Sequence, residues 1–179
     1  MSKKIIIIIP VLCIFILACA FAGKISIVGQ ISPFSLQTVT MQSGRHVSTY
    51  GFGIKAGARY NVWDKLDVGA DFNFDLFRYR ELDNSYLVFG FMAKALYKFD
   101  FSEKVFGQAE LGLGLDIRKI GPNAQAAFGA EIYFGGGYRF SDMVSATAGL
   151  DMEHGFLKGK TSNSTDFAAK IALGALVTL

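Results

Sequence analysis

The chain has 179 residues, enough for one domain, and 51% of them are hydrophobic; a mean hydropathy of +0.34 is high for a water-soluble protein. After the first 22 residues no apolar run approaches the ~18 residues of a helical membrane span. The formal net charge is +3, and it falls to about +1 without Lys3 and Lys4, so there is no basic footprint for nucleic acid.

In chain order, the first element is a secretory signal expected over 1–22. Lys3 and Lys4 form its charged region and Ile5 to Leu17 its apolar core. Ala20-Phe21-Ala22 supplies small residues at −3 and −1 for cleavage before Gly23. Two other readings stay open. Ile5 to Ala22 is just long enough for an uncleaved anchor, and Ile16-Leu17-Ala18-Cys19 resembles a lipobox with acylation at Cys19. Both cysteines, Cys13 and Cys19, fall in this segment. A chain cleaved at Gly23 has no disulfide framework and no thiolate chemistry.

The rest of the chain alternates with period two in eight segments, which predicts strands over 24–37, 48–62, 66–79, 86–101, 105–118, 125–140, 144–157 and 166–179. On one parity the residues are apolar or Gly; on the other sit most charges and amides. Strand one is the weakest, with Ile25, Ile27 and Ile31 on one face and Ser26, Gln30 and Ser32 on the other. Strand two sets Tyr50, Phe52, Ile54, Ala56, Ala58 and Tyr60 against Lys55, Arg59 and Asn61. Strand three sets Leu66, Val68, Phe72, Phe74 and Leu76 against Asp67, Asp71, Asn73 and Asp75. Strand four opposes Leu87, Phe89, Phe91, Tyr97 and Phe99 to Lys94 and Lys98. Strand five opposes Leu111, Leu113, Leu115 and Ile117 to Gln108, Glu110, Asp116 and Arg118. Strand six carries Glu131 and Arg139, strand seven Asp151 and Glu153, and strand eight Lys170 on the polar parity. The polar face is too crowded with small residues and opposite charges for an open, water-washed surface. An all-β, eight-stranded antiparallel up-and-down barrel satisfies both faces, with lipid outside and a polar core inside.

The connections point the same way. Trp63-Asp64-Lys65, Ser102-Glu103-Lys104 and Ser141-Asp142-Met143 read as tight turns. Thr40 to His46, Arg80 to Ser85, Gly121 to Gln125 and Lys158 to Thr165 read as longer polar loops at the other end. Tyr60, Trp63, Phe99, Phe101, Tyr138 and Phe140 gather beside the tight turns, as an interfacial aromatic girdle would. Arg78, Lys119 and His154 break the parity rule and are expected near loop ends.

The inward charges are the candidate functional residues: Lys55, Arg59, Asp67, Asp71, Asp75, Lys94, Lys98, Glu110, Asp116, Arg118, Glu131, Arg139, Asp151, Glu153 and Lys170. Acidic strand three lies between basic strands two and four, and strands about 4.8 Å apart bring such side chains into pairing range. An eight-stranded barrel is just wide enough for side chains to fill. The set therefore reads as a charge-paired plug, or as an ion path gated by rearranging pairs. Phe77, Tyr79, Tyr86 and Val88 are candidates for a small apolar pocket near the loop-end mouth. No catalytic, cofactor-binding or metal set is identified: two histidines and no cysteine after the signal do not make a zinc site. The glycine-rich stretches lie within strands, so they are not phosphate loops. Asn163-Ser164-Thr165 matches a glycosylation sequon but reads as a loop.

The strand–turn grammar, the segment Gly135-Gly136-Gly137-Tyr138-Arg139-Phe140-Ser141-Asp142 and the alternating C-terminal strand ending in Leu179 give the chain a family likeness. It resembles the small eight-stranded bacterial outer-membrane barrels of the OmpA transmembrane domain, OmpX/Ail and OmpW types, where an aromatic usually stands at the last position. The resemblance implies a barrel over 23–179 in the outer membrane. It also implies contact with outer-membrane lipid, and with barrel-assembly machinery during insertion. The expected role is structural or surface-exposed without a wide pore. The alternatives are a narrow channel for small solutes or hydrophobic molecules, as in the OmpW type, and a surface protein binding a host ligand at the loops, as in the OmpX/Ail type. A soluble barrel of lipocalin type is a fourth reading. His46, Asp83 and Ser85 occupy the loops that carry catalytic groups in the lipid A palmitoyltransferase type, but any polar loops supply such residues.

Overall fold

The computed structural model describes residues 25–40, 46–79, 84–120, 123–158 and 163–179. The expected signal, with Cys13 and Cys19, and Asp83 lie outside the described residues. Eight strands follow one another: β1 (Ile25–Thr40), β2 (His46–Trp63), β3 (Leu66–Tyr79), β4 (Asn84–Asp100), β5 (Val105–Ile120), β6 (Asn123–Arg139), β7 (Val144–Lys158) and β8 (Asn163–Thr178). Each pairs antiparallel with its neighbours, and β8 pairs with β1, so the barrel is closed. Both ends of the described chain meet at the turn end, where the Leu179 amide donates to the Ile25 carbonyl at 2.7 Å.

Closure places a demand on β1. The register pairs lead from Ser26 through Arg59, Gly69, Lys94, Gly112, Glu131, Glu153 and Ala168, and return to β1 at Gln37. That is eleven residues along the strand (37 minus 26). Side chains alternate faces, so an odd displacement would seat an inward residue on the outward parity. One extra residue restores the match. Pairing on β1 jumps from Ser32 to Ser35 while β2 advances only from Gly53 to Gly51. Pro33 and Phe34 both face outward at this bulge, where a missing N–H is tolerated. The alternation set by Ile25, Ile27 and Ile31 therefore reverses halfway along β1: Ser35 and Gln37 are buried, while Phe34 and Leu36 face out.

The outer wall is apolar. On β5 alone Leu111, Leu113, Leu115 and Ile117 are each more than half exposed. A continuous wall of this kind is stable against acyl chains and not against water. Among the described residues no helix is long and apolar enough to cross a membrane; the strands cross instead. Trp63, Phe101 and Phe140 are among the most exposed aromatics, and they sit at the turn end. Edge-on pairs Phe99–Phe101 and Tyr138–Phe140, each with centroids 5.3 Å apart, complete that rim. Arg78 and Lys119 face outward near the opposite end. His154 is deeper, packed edge-on against Phe156 at 4.3 Å.

The loop end differs from the expectation. There β1, β2, β4, β5, β6 and β8 run two or three residues further than the polarity of the sequence suggested, β7 runs one further, and β3 ends where expected. His46, Ser85, Gln125 and the whole Asn163-Ser164-Thr165 sequon belong to strands. The backbone ladder continues past the apolar belt because strand pairing there needs no lipid, only partners.

Candidate functional site in the barrel lumen

Inward residues of all eight strands fill the lumen. Toward the turn end, Lys98 Nζ reaches Asp67 Oδ2 at 2.6 Å, and Asn61 donates to the other Asp67 oxygen at 2.8 Å. Above them lies one connected chain of charges. Arg59 grips the Asp71 carboxylate with two nitrogens and donates to Glu110 Oε2 from Nε at 3.1 Å and Nη2 at 2.7 Å. Lys94 lies 3.2 Å from Glu110 Oε1 and also pairs with Glu131. Lys55 meets the same Glu131 oxygen and donates to Asp151 Oδ2 at 2.7 Å. Asn73 donates to the second Glu131 oxygen at 3.4 Å. Lys94 can cross the lumen because its partner in register on β5 is Gly112. A methyl there would lie 2.8 Å from the lysine stem.

Two more clusters continue toward the loop end. Lys170 Nζ donates to Asp75 Oδ2 at 2.7 Å and to Glu153 Oε2 at 2.6 Å. Arg118 donates to Asp116 Oδ2 at 2.9 Å and pairs with Asp166, which also accepts from Gln37 Nε2 at 2.7 Å. Beyond these, Val47, Phe77, Tyr86 and Val88 pack into a buried apolar cluster. Phe77, Tyr86 and Val88 were expected to line a pocket. They pack on one another, with Phe77 and Tyr86 only 1% exposed, and Phe77 and Val88 cover a small cavity whose other walls are mostly polar; the side chain of Tyr79 is not among the described ones.

Of the fifteen expected lumen charges, fourteen lie within the lumen. Arg139 keeps the inward parity but stands outside the buried network. It sits at the turn-end rim, where it pairs with the exposed Asp100, donates to the Glu103 carbonyl at 3.0 Å and stacks over Phe106 at 4.7 Å. Two partners were missed. Asp166 shares the parity of Lys170 and was legible on that ground. Gln37 was hidden because the β1 bulge reverses its parity. Tyr133, buried at 1%, shares the face of Glu131 and was equally open to the parity argument.

Among the described residues, the strands do not bring His46 and Ser85 together. His46 Nδ1 contacts Thr40 Oγ1 at 3.0 Å on the outer rim. Ser85 aligns through Arg78 with Tyr50, four residues from His46 along β2. No group of three or more His, Cys, Asp or Glu side chains suited to a metal ion occurs among the described residues.

No protein-family model matches the chain, and no curated protein sequence matches it. Solved structures do. Neisserial surface protein A superposes with a TM-score of 0.66 at 17% identity, covering 87% of this chain and 98% of that one. The attachment invasion locus protein Ail of Yersinia pestis, in complex with the heparin analogue sucrose octasulfate, gives 0.51 at 17% identity over 88% and 99%. The outer-membrane enzyme PagL gives 0.47 at 16% identity over 80% and 97%. At these identities the likeness is one of fold, and the chain has the fold of the small eight-stranded outer-membrane β-barrels.

Proposed function

We propose that the protein is a non-catalytic outer-membrane barrel with a structural or surface-exposed role, in which the lumen is a plug and not a passage. The observation that carries this reading is the unbroken chain Asp151–Lys55–Glu131–Lys94–Glu110–Arg59–Asp71, which crosses the lumen with every member buried. An open pore would hydrate these groups and leave water-filled space between them. The proposal includes contact with outer-membrane lipid along the apolar wall and insertion by barrel-assembly machinery. At the loop end the intervals between strands are only 41–45, 80–83, 121–122 and 159–162, which favours a modest surface over a large protein-binding platform.

The test is single-channel recording of the refolded barrel in a planar bilayer, with folding checked by its altered gel migration when unboiled. Silence of folded protein is the expected result. Reproducible steps that change in Lys94→Met or Asp71→Asn would overturn the plug and favour the narrow channel.

A further inference from the structure

The described lumen is not charge-balanced. Nine carboxylates face inward (Asp67, Asp71, Asp75, Glu110, Asp116, Glu131, Asp151, Glu153 and Asp166) against six cations (Lys55, Arg59, Lys94, Lys98, Arg118 and Lys170). Nine against six leaves a formal surplus of three negative charges. Two of them belong to the loop-end clusters, where Asp75, Asp116, Glu153 and Asp166 face only Lys170 and Arg118. Uncompensated buried charge is costly, and a bound cation or a retained proton relieves it.

The same place holds an internal cavity of about 10 Å³, lined by Gln37, Asp75, Arg118, Glu153 and Asp166 beneath Phe77 and Val88. That is the lower limit for one water-sized occupant. Three lining side chains, each at least nine-tenths buried, spend one polar atom on an internal partner and leave an acceptor oxygen without one. Glu153 gives Oε2 to Lys170 and keeps Oε1. Asp166 gives Oδ2 to Arg118 and Gln37 and keeps Oδ1. Gln37 uses its amide nitrogen and keeps Oε1. These three leftover atoms accept, and on the same lining Arg118 Nε is a donor left without a partner.

We infer that this cavity is a binding site for one small monovalent cation of sodium size, held by the leftover oxygens of Glu153, Asp166 and Gln37. Two carboxylates and an amide around one small space are hard oxygen donors. Arg118 and Lys170 nearby, and the absence of three convergent carboxylate or histidine ligands among the described residues, disfavour a divalent ion. The cation would offset one surplus charge directly under the apolar cluster and tie β1, β7 and β8 together.

The experiment is thermal unfolding of the refolded barrel in sodium chloride against choline chloride at one fixed ionic strength, which removes general screening from the comparison. An ion bound only by the folded state raises the midpoint saturably with its concentration. The midpoint is expected to rise with sodium, and sodium-23 NMR lines are expected to broaden on adding protein. Glu153→Gln and Asp166→Asn should lose both effects, while Asp142→Asn at a turn should keep them. Equal midpoints in sodium and choline for the unmodified protein overturn the proposal, whether or not the variants fold. That result would leave a water or a retained proton in the cavity.

Discussion

Because the lumen carries excess negative charge, removing a cation and removing its partner should have very different costs. Lys170 is the sharpest case. Its ammonium sits 2.7 Å from Asp75 Oδ2 and 2.6 Å from Glu153 Oε2, so those oxygens are at most about 5.3 Å apart. In Lys170→Met the two carboxylates face each other with no cation between them. At an effective dielectric of about 20, a 5.3 Å repulsion is about 3 kcal/mol. Breaking a buried pair typically costs ~3–5 kcal/mol because the remaining charge is stranded. In Glu153→Gln the Lys170–Asp75 bond survives and one surplus charge is gone, so the cost should stay within ~1 kcal/mol. The triple variant Lys170→Met, Asp75→Asn, Glu153→Gln removes the charges together and should recover most of the loss. The assay is equilibrium unfolding in urea with vesicle-refolded protein, followed by Trp63, the only tryptophan in the chain. Equal penalties for Lys170→Met and Glu153→Gln, or no rescue in the triple variant, would refute the charge-surplus argument.

Two further outcomes follow from the wall and the closure. Leu113 lies in the middle of the apolar belt at 57% exposure, so Leu113→Arg should cost ~2–4 kcal/mol, whereas Lys119→Leu at the loop-end rim should change stability by no more than ~1 kcal/mol; the same urea titration measures both. Deleting Phe34 removes the extra residue of β1 and leaves Ser32, Ser35 and Gln37 on one unbroken inward parity, so that variant should still give the unboiled band shift. Failure to fold would show that the bulge does more than absorb one residue.

What the sequence disclosed depended on whether local alternation survived to the folded state. It did on β3, where Asp67, Asp71, Asn73 and Asp75 share one parity and all end up buried. It failed on the second half of β1, because period two carries no sign of an inserted residue except Pro33. The loop ends were misjudged because a polar stretch reads the same whether it is a loop or a strand projecting into water. The pairings were half legible. Arg59–Asp71 and Lys98–Asp67 join adjacent strands, as the order basic, acidic, basic suggests. Lys55 is different: its register partner on β3 is Asn73, and its ion pairs lie on β6 and β7. Asp75 likewise reaches Lys170 on β8. Such contacts depend on the diameter of the closed barrel and on glycines such as Gly112 that let long side chains cross, and no strand viewed alone contains that information.

The lumen is sealed twice, by different physics. The ion-pair chain from Arg59 to Asp151 holds its place through directed, charge-assisted bonds, while Val47, Phe77, Tyr86 and Val88 close the loop end by packing. Rearranging the pairs alone would not open a path, since the apolar cluster would still exclude a hydrated ion. Loosening the cluster alone would lead only to the charges. A transport cycle would need both to yield together, yet they sit on different residues with the small Gln37–Glu153–Asp166 cavity between them. Two independent barriers in series are the arrangement expected of a barrel whose interior serves its stability.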